Sequence, residues 1–458
     1  MYIYYMKREV FHMQTYSTEV YLPCAIPNIS YASRRKSFLD FQQKLYISLT
    51  PMSAIPFNFG GLIFIGTAAY FVDDFEMFID LDREEKTLSQ HLFDHPEWKK
   101  ELEELNAIGG IRFIPSKNNF SYSSEAYAYK KQYQGKNWTN FSLSPITFEL
   151  DITNNCNALC VHCSRDSGTS ESFLSFYKIK KILEQCERFK VQELFVMGGE
   201  PLLHPSFESI IKTARDYGIK SIFTSSNGIL ITPKVAEILA KYSIYVQISI
   251  HGASANTHES ITRCKGSFKK ACDAVKLLRS KNIKVGISFT LLEINKKDIY
   301  SIPELALNLR ANSLRYLALS DIGRGKQLKR ISDSERNEIG KKLKEIHDVF
   351  SKQGLEIAVS GFPSITSISE QATLYGCPAG ITHIHMDYKG IISLCGSVEG
   401  YQIDNQKQHT NILDVWHEEK LRKVRIASQC KCSYRYICSG GCKANIYSAS
   451  EKDGNCLC

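Results

Sequence analysis

The sequence predicts an α/β protein. A partial (β/α)6 barrel forms its middle, a winged-helix-like α+β module precedes it, and a cysteine-rich domain follows. Three observations predict this. Strand-like and helix-like segments alternate strictly from Pro145 to about residue 360. The fifteen cysteines of the 458 residues are bunched rather than spread. The first 115 or so residues contain none of those bunches.

In residues 1–115, apolar and aromatic content suggests short strands at 62–65, 70–72 and 76–79. A helix is expected over 83–93. A second is expected to start at Asp94-His95-Pro96, where Asp suits a cap and Pro a first turn, and to stop at Gly109-Gly110 before a strand at 111–114. Residues 116–144 are rich in Ser, Asn, Tyr and Lys and read as a linker.

Residues 145–360 are assigned to the barrel. Strands are expected at 146–151, 193–197, 220–224, 244–250, 284–292, 314–319 and 355–359, with helices at 175–188, 205–217, 232–241, 267–280, 299–311 and 333–353. Strands separated by helices of this length imply βαβ units and a parallel sheet. Six or more in succession suggest a full or partial TIM-like barrel, whose active residues gather at the C-terminal ends of the strands. In residues 375–458 the periodicity fades, and only a strand pair around Lys389-Gly390 is legible. So little regular core calls for a staple, which metal sites would supply.

Composition narrows the function classes. Hydrophobic residues at 43% and charged residues at 23% exclude disordered and fibrous chains. A net charge of +9 over 52.0 kDa is mild, and the basic clusters Arg34-Arg35-Lys36, Lys296-Lys297 and Lys341-Lys342-Lys344 read as solvated helix faces, so no nucleic-acid partner is expected. The longest apolar stretch, 59–72, is shorter than the roughly 20 residues of a membrane span. The N-terminus lacks the order of a secretory signal. The expectation is a cytoplasmic protein with no membrane span. An odd number of clustered cysteines in that setting points to metal rather than to disulfides.

Cys156, Cys160 and Cys163 stand at C-x3-C-x2-C spacing in LDITNNCNALCVHCSRD, just after the first barrel strand. Three thiolates can hold three corners of a [4Fe–4S] cube that otherwise takes four cysteines. Structural zinc, the alternative, wants four ligands, and His162 sits awkwardly beside Cys163 for chelating the same ion. The motif resembles that of the radical S-adenosylmethionine (SAM) enzymes, and residues 146 to about 320 resemble their barrel throughout. The resemblance implies an open iron that binds the amino and carboxylate groups of SAM, and one-electron cleavage to methionine and a 5′-deoxyadenosyl radical. The cofactor carries this chemistry, while the protein orients it and excludes water.

Further motifs fit the same strand order. Met197-Gly198-Gly199-Glu200-Pro201 is similar to the family's Gly-Gly-Glu-Pro. Gly198 and Gly199 would let backbone approach the ligand, and Glu200 would hold the SAM ammonium. Ser225-Ser226-Asn227-Gly228 follows the third strand and resembles the segment near the SAM ribose and carboxylate, which makes Ser225 and Asn227 candidates. Ser249 resembles the family's ribose-contacting serine, and His162 matches the position that packs on the adenine. Related peptide-modifying enzymes carry Arg-Gly before a Gly-Ser-Phe helix start. Here the segment is Arg263-Cys264-Lys265-Gly266-Ser267-Phe268, so Arg263 is a carboxylate-binding candidate shifted by one position.

Cys377, Gly390 and Cys395 are spaced C-x12-G-x4-C and are followed by Cys430, Cys432, Cys438, Cys442, Cys456 and Cys458. This resembles the SPASM domain, which binds auxiliary [4Fe–4S] clusters. The pair Cys430-x-Cys432 in place of C-x2-C, and the extra Cys458, depart from the usual pattern. The resemblance implies one auxiliary cluster on Cys377, Cys395 and Cys442. A second would lie on Cys430, Cys432, Cys438 and either Cys456 or Cys458. The first then has the leftover cysteine as a fourth ligand, or an iron open to substrate. Cys24, Cys186 and Cys272 read as buried small hydrophobes, and Cys264 as a loop cysteine at the active end of the barrel.

Taken whole, the chain resembles maturases that build cysteine thioether crosslinks in ribosomal peptides, the sactipeptide and ranthipeptide class. VQISIHGASANTHES and Ile322-Gly323-Arg324-Gly325 contribute to that resemblance. It implies that residues 1–115 are a leader-peptide recognition element, that a precursor peptide is the substrate, and that a flavodoxin or ferredoxin is the electron donor. Three rivals stand beside it. An anaerobic sulfatase maturase would have Asp after the second auxiliary cysteine, where Gly396 stands. A peptide epimerase would need a cavity cysteine, for which Cys264 is the candidate. A non-catalytic metal-stabilised peptide-binding scaffold would not need the Gly-Gly-Glu-Pro segment.

Overall fold

The computed structural model describes residues 142–169, 172–360, 378–398, 403 and 411–425. Before residue 142 it describes 14–16, 47–49, 52–56, 61–65, 68–72, 77, 94–98, 102, 111–113, 120–122 and 124–129. The chain divides into two compact units, Met1–Ser144 and Pro145–Cys458.

In the first unit, a sheet is built in the order Gln14–Tyr16, Ala68–Val72, Gly61–Ile65, Met52–Pro56, Phe120–Tyr122. Its pairs are antiparallel except the last, which is parallel. Ile47–Leu49 pairs separately with Ile111–Phe113. The strands expected near 62–65, 70–72 and 111–114 are present. Met77 is helical where a strand was expected, and the helix expected over 83–93 falls outside the described residues. A 3-10 turn, Pro96–Trp98, follows Asp94, and the His95 ring stacks on Trp98 at 3.8 Å. The segment 116–144, expected as a linker, contains the strand Phe120–Tyr122 and the helix Ser124–Ala128. Two aromatics on alternate positions suffice for an edge strand even where the surrounding composition is polar.

In the second unit, β1 (Thr147–Asp151), β2 (Glu193–Met197), β3 (Ser221–Ser226), β4 (Tyr245–Ser249), β5 (Val285–Leu291), β6 (Ser313–Ala318) and β7 (Glu356–Ser360) form a parallel sheet, each strand beside the next. The helices between them include α1 (Phe176–Arg188), α2 (Phe207–Asp216), α3 (Pro233–Lys241), α4 (Ala255–Thr262), α5 (Ser267–Ser280), α6 (Ser301–Asn308) and α7 (Asp333–Phe350). Local chemistry starts several of them. Ser175 and Thr232 cap α1 and α3, Pro233 takes the first position of α3, and Ser332 with Glu335 forms a capping box on α7. The polar α4, ANTHESIT, has little apolar periodicity and was not expected, although Ser254 caps it.

The sheet does not stop at β1. The hairpin β8 (His383–Met386) and β9 (Ile392–Ser393) matches the expected strand pair, but β8 lies parallel to β1, with His383 opposite Thr147 and Met386 opposite Leu150. The strands therefore run in one line from β7 through β1 to β9, and the barrel is open. The C-terminal helices α8 (Ile412–Trp416) and α9 (Glu419–Val424) attach nearby. Gln185 on α1 accepts the Ile412 N–H at 2.6 Å, and buried Arg425 donates to the Gly380 carbonyl at 2.8 Å while lying over the Trp416 ring.

Outward-facing strand residues, such as Phe148, Leu194, Val196, Val246, Ile248 and Leu314, are buried beneath the helices. Their inward neighbours Met197, Ser225, Gln247, Ser249 and Arg315 stay partly accessible. The interior is thus partly open at its C-terminal end. Its other end holds Glu193, whose carboxylate accepts from Thr147 Oγ1 at 2.8 Å and whose second oxygen has no partner among the described residues. Burial pushes its pKa up from 4.5 to about 8, against the Thr147 hydrogen bond. The folded chain therefore retains a proton that the unfolded chain releases. The stability this gives is complete below the unfolded value and is lost as pH rises through the folded one. Relative to the parent, Glu193→Gln is expected to gain about 1–3 kcal/mol at pH 8 and little at pH 5. Thermal unfolding across that range checks this, and an unchanged slope would contradict it.

Candidate active site at the C-terminal end of the barrel

The three clustered cysteines lie on the loop that leaves β1. Backbone hydrogen bonds fix its path. Cys156 N–H donates to Gly168 O at 2.6 Å, Leu159 N–H to Thr262 O at 3.2 Å, and Val161 N–H to Ile261 O at 2.9 Å. The last two tie the loop to the end of α4. The turn after β6 holds it from another side. Arg324 donates from its backbone N to Cys163 O at 3.0 Å, from Nε to Cys160 O at 2.8 Å, and from Nη1 to Asp166 at 2.7 Å. Gly323, at φ 55°, leaves no room for a Cβ beside the Cys163 and Ser164 carbonyls.

All three thiols are partly accessible. Asn227 Nδ2 stands 3.9 Å from Cys156 Sγ, and the Ser167 N–H points at Cys163 Sγ from 3.4 Å. Burial pushes Cys156 up to about 11. Burial, then the neighbouring Cys156 and Cys163, pushes Cys160 up to about 12 against the charge of Arg324. Such thiols ionise when a metal replaces the proton. Among the described residues, the ligand-type side chains whose atoms all lie within 4.8 Å of one another are Glu149, Asp151 and His385. Three thiols on one loop, with N–H donors directed at two of the sulfurs, suit an iron–sulfur cube, which takes three or four cysteines.

Gly198 and Gly199 follow β2. Gly198 has φ 139°, and a Cβ on either glycine would run into backbone of Thr153 or Asn155. Their N–H neighbours complete the contact, Gly199 N to Thr153 O at 2.9 Å and Glu200 N to Asn155 O at 2.8 Å. The glycines thus seat the cysteine loop. Glu200 is fully buried, and its carboxylate accepts from Ser226 Oγ at 2.9 Å, Asn227 N at 2.9 Å and Leu202 N at 3.3 Å. Burial pushes its pKa up to about 7, which the three hydrogen bonds oppose.

Ser225 and Ser226 belong to β3 rather than following it, paired with Gln247 and Ile248 of β4. Asn227 joins the two motifs, because its Nδ2 donates to Asn157 Oδ1 at 2.6 Å. Ser249 Oγ lies 3.3 Å from Ser288 Oγ on β5. His162 packs edge-on against His251 at 4.3 Å between centroids, and its buried Nδ1 has no partner among the described residues. Burial first, then Arg324 and His258, pulls its pKa down to about 4, so the ring is neutral. A neutral aromatic face suits a heterocycle, and an orphaned nitrogen suits a ligand donor. Arg263 ends α4 in the left-handed region at φ 53° with its side chain exposed, and Cys264 follows it, partly accessible. Cys395 lies just past β9. Cys377, Cys430, Cys432, Cys438, Cys442, Cys456 and Cys458 are outside the described residues.

Several residues around the site were not singled out from sequence. Ser226 binds Glu200, and Arg324 figured only as part of a family-like segment. A third group is Arg165 with Glu149 and Asp151 of β1 and His383 and His385 of β8. Arg165 pairs with Glu149 and, at 2.5 Å, with Asp151, while His383 and His385 reach the same carboxylates at 3.1 and 3.0 Å. Burial opposes ionisation of both acids. Their basic neighbours outweigh it and hold Glu149 and Asp151 below the usual carboxylate range. The guanidinium already supplies the cation among these ligand-type atoms. Alternation on β1 was the available signal, since Glu149 and Asp151 share one face.

Residues 150–306 match the profile of the Radical SAM superfamily. The chain is 26% identical over 350 residues to the AdoMet-dependent heme synthase of Methanosarcina barkeri, a match covering 69% of this chain and 97% of the relative. It is 28% identical over 329 residues to the mycofactocin maturase MftC of Mycobacterium tuberculosis, covering 68% and 82%. Its fold is similar to that of Streptococcus suis SuiB in the crystal structure bound to the precursor peptide SuiA. The TM-score is 0.67 at 17% identity, over 88% of this chain and 95% of that one. Among the described residues, no helix is long and apolar enough to cross a membrane.

Proposed function

From the premise that residues 150–306 are a radical SAM domain, we propose that the chain is a maturase of a ribosomally made precursor peptide and closes cysteine thioether crosslinks in it. When bound, SAM and a [4Fe–4S] cluster supply a 5′-deoxyadenosyl radical. Cys156, Cys160 and Cys163 hold the cluster, with Arg324 and Asn227 fixing their loop. Ser225, Asn227, Ser249 and Arg263 would line the SAM side, buried Glu200 would act there through Ser226 and Asn227, and His162 would offer its neutral ring to the adenine. The partly open barrel interior takes the peptide segment. There a hydrogen atom leaves a substrate Cα or Cβ, a cysteine thiol loses its proton, and sulfur bonds to that carbon. One electron is left over, and auxiliary clusters, which the C-terminal cysteines would hold, would supply an acceptor for it. Residues 1–115 bind the leader as an added strand, and a flavodoxin or ferredoxin supplies the priming electron.

The observation that carries this reading is the β8–β1 pairing. It joins the hairpin that leads into Cys395 to the same sheet as the strand that feeds the cysteine loop, and Gly396, next to Cys395, packs on Arg165 and Glu149, which supports one site for both. The similarity in fold to a peptide-bound maturase over 88% of the chain favours a peptide over the tetrapyrrole handled by the heme synthase. Mass spectrometry tests it. After reaction with SAM and a reductant, a cysteine-rich precursor peptide is expected to be lighter by two hydrogens per crosslink. An unchanged mass with solvent deuterium uptake would instead make the chain an epimerase.

A further inference from the structure

Arg165 lies two residues past Cys163 in a position that the cluster chemistry does not require. Its Nε donates to Asp151 Oδ2 at 2.5 Å, and its Nη2 pairs with Glu149 Oε1. Each carboxylate then reaches across to β8, Glu149 to His383 Nε2 at 3.1 Å and Asp151 to His385 Nε2 at 3.0 Å. On its other nitrogen His385 meets Ser393 Oγ at 2.8 Å, and that hydroxyl also lies 3.3 Å from the Cys395 carbonyl. A continuous polar path thus runs from the Cys163 loop through three strands, β1, β8 and β9, to Cys395. A direct contact parallels it. A Cβ on Gly396 would strike Arg165 Nη2 and lie 2.8 Å from Glu149 Oε1, so the backbone after Cys395 is packed on the guanidinium itself. The groups on this path are largely buried, with side-chain exposures of 19% for Arg165, 14% for Glu149, 4% for Asp151 and 6% for His385, and all but Asp151 Oδ1, which has no partner among the described residues, are held by one another.

We propose that Arg165 is a positioning residue that locks the Cys156/Cys160/Cys163 loop to the Cys395 loop, so that radical formation and sulfur–carbon closure occur at a fixed separation. This rests on the assignment of Cys395 to an auxiliary cluster. Without the lock, the radical still forms, but the substrate sulfur is misplaced. 5′-Deoxyadenosine is then released without a crosslink.

The test uses full-length, anaerobically reconstituted enzyme and a precursor peptide that the parent crosslinks. Iron content, the ratio of 5′-deoxyadenosine to crosslinked peptide, and magnetic coupling between the reduced clusters are read in Arg165→Gln, Arg165→Lys and Gly396→Ala. The ratio is expected to rise about tenfold in Arg165→Gln, a typical cost of losing an outer partner of a metal site. Iron should stay at the parent level, the cluster–cluster coupling should change, and Arg165→Lys should recover part of the ratio. Gly396→Ala pushes on the same contact without removing a charge, so it carries the test if Arg165→Gln does not fold, and it should raise the ratio likewise. A parent-like ratio in Gly396→Ala, or in a folded Arg165→Gln, would overturn the proposal. Failure of the underlying assignment looks different, because Cys395→Ala would then retain the full iron content of the parent.

Discussion

Cys160→Ala is expected to abolish 5′-deoxyadenosine formation while the fold persists. Cys160 holds the loop through its backbone, whose carbonyl accepts Arg324 Nε at 2.8 Å, and that bond does not depend on the thiol. The residue is partly accessible and removal of one sulfur atom is a small change in volume. What is lost is one of the three sulfurs available to a cube that takes three or four cysteines. Reduced, reconstituted variant and parent are compared with excess SAM, and 5′-deoxyadenosine is quantified by chromatography. Parent-like production by the variant would mean that the loop is not the cluster site, whatever the barrel resembles.

Gly198→Ala has the next largest effect, and it acts through the backbone. At φ 139° an L-residue is strained, and the new Cβ would meet the Thr153 carbonyl, with Thr153 N at 3.1 Å. Relief requires moving the strand end that leads into Asn155 and Cys156. The cost is about 2–4 kcal/mol from strain and overpacking together, with a fall in iron incorporation. Gly218→Ala is the control. Its φ of 79° is also left-handed, but nothing lies within 4 Å of a Cβ there, so only the conformational cost of about 1–2 kcal/mol remains. Thermal unfolding and iron analysis of the two variants check the difference. Equal behaviour would show that the glycine pair does not seat the cysteine loop.

The barrel was legible because its signals are local. Apolar runs such as VGISFTL of β5 and capped amphipathic helices such as α1 state their own conformation. The Cys156–Cys163 spacing and the Gly198-Gly199-Glu200 turn were equally plain. What escaped was pairing across sequence. Nothing in HIHM marks it as a parallel neighbour of β1, 236 residues before it at the first paired position, so the strand pair was placed in a separate domain. Arg165, Glu149 and His385 were missed for the same reason, since each looks like an ordinary surface charge until the strands meet. The glycines were found, but only one of their partners was foreseen. They also make room for the protein's own loop, a contact that sequence alone did not show. Ser226 was not singled out because the segment was placed after the third strand, whereas β3 runs through it and its hydroxyl donates to Glu200.

The most direct measurement follows a hydrogen from peptide to nucleoside. The precursor peptide is made with deuterium at Cα and Cβ of its non-cysteine residues and is turned over with unlabelled SAM in ordinary water. A radical maturase that closes thioethers transfers one deuterium into each 5′-deoxyadenosine, and for every labelled molecule the peptide loses one deuterium and one thiol hydrogen. Crosslinked peptide accompanied by unlabelled 5′-deoxyadenosine would contradict hydrogen abstraction from the peptide. Labelled 5′-deoxyadenosine accompanied by a peptide that has merely exchanged its deuterium for a solvent hydrogen, with every thiol intact, would contradict thioether closure.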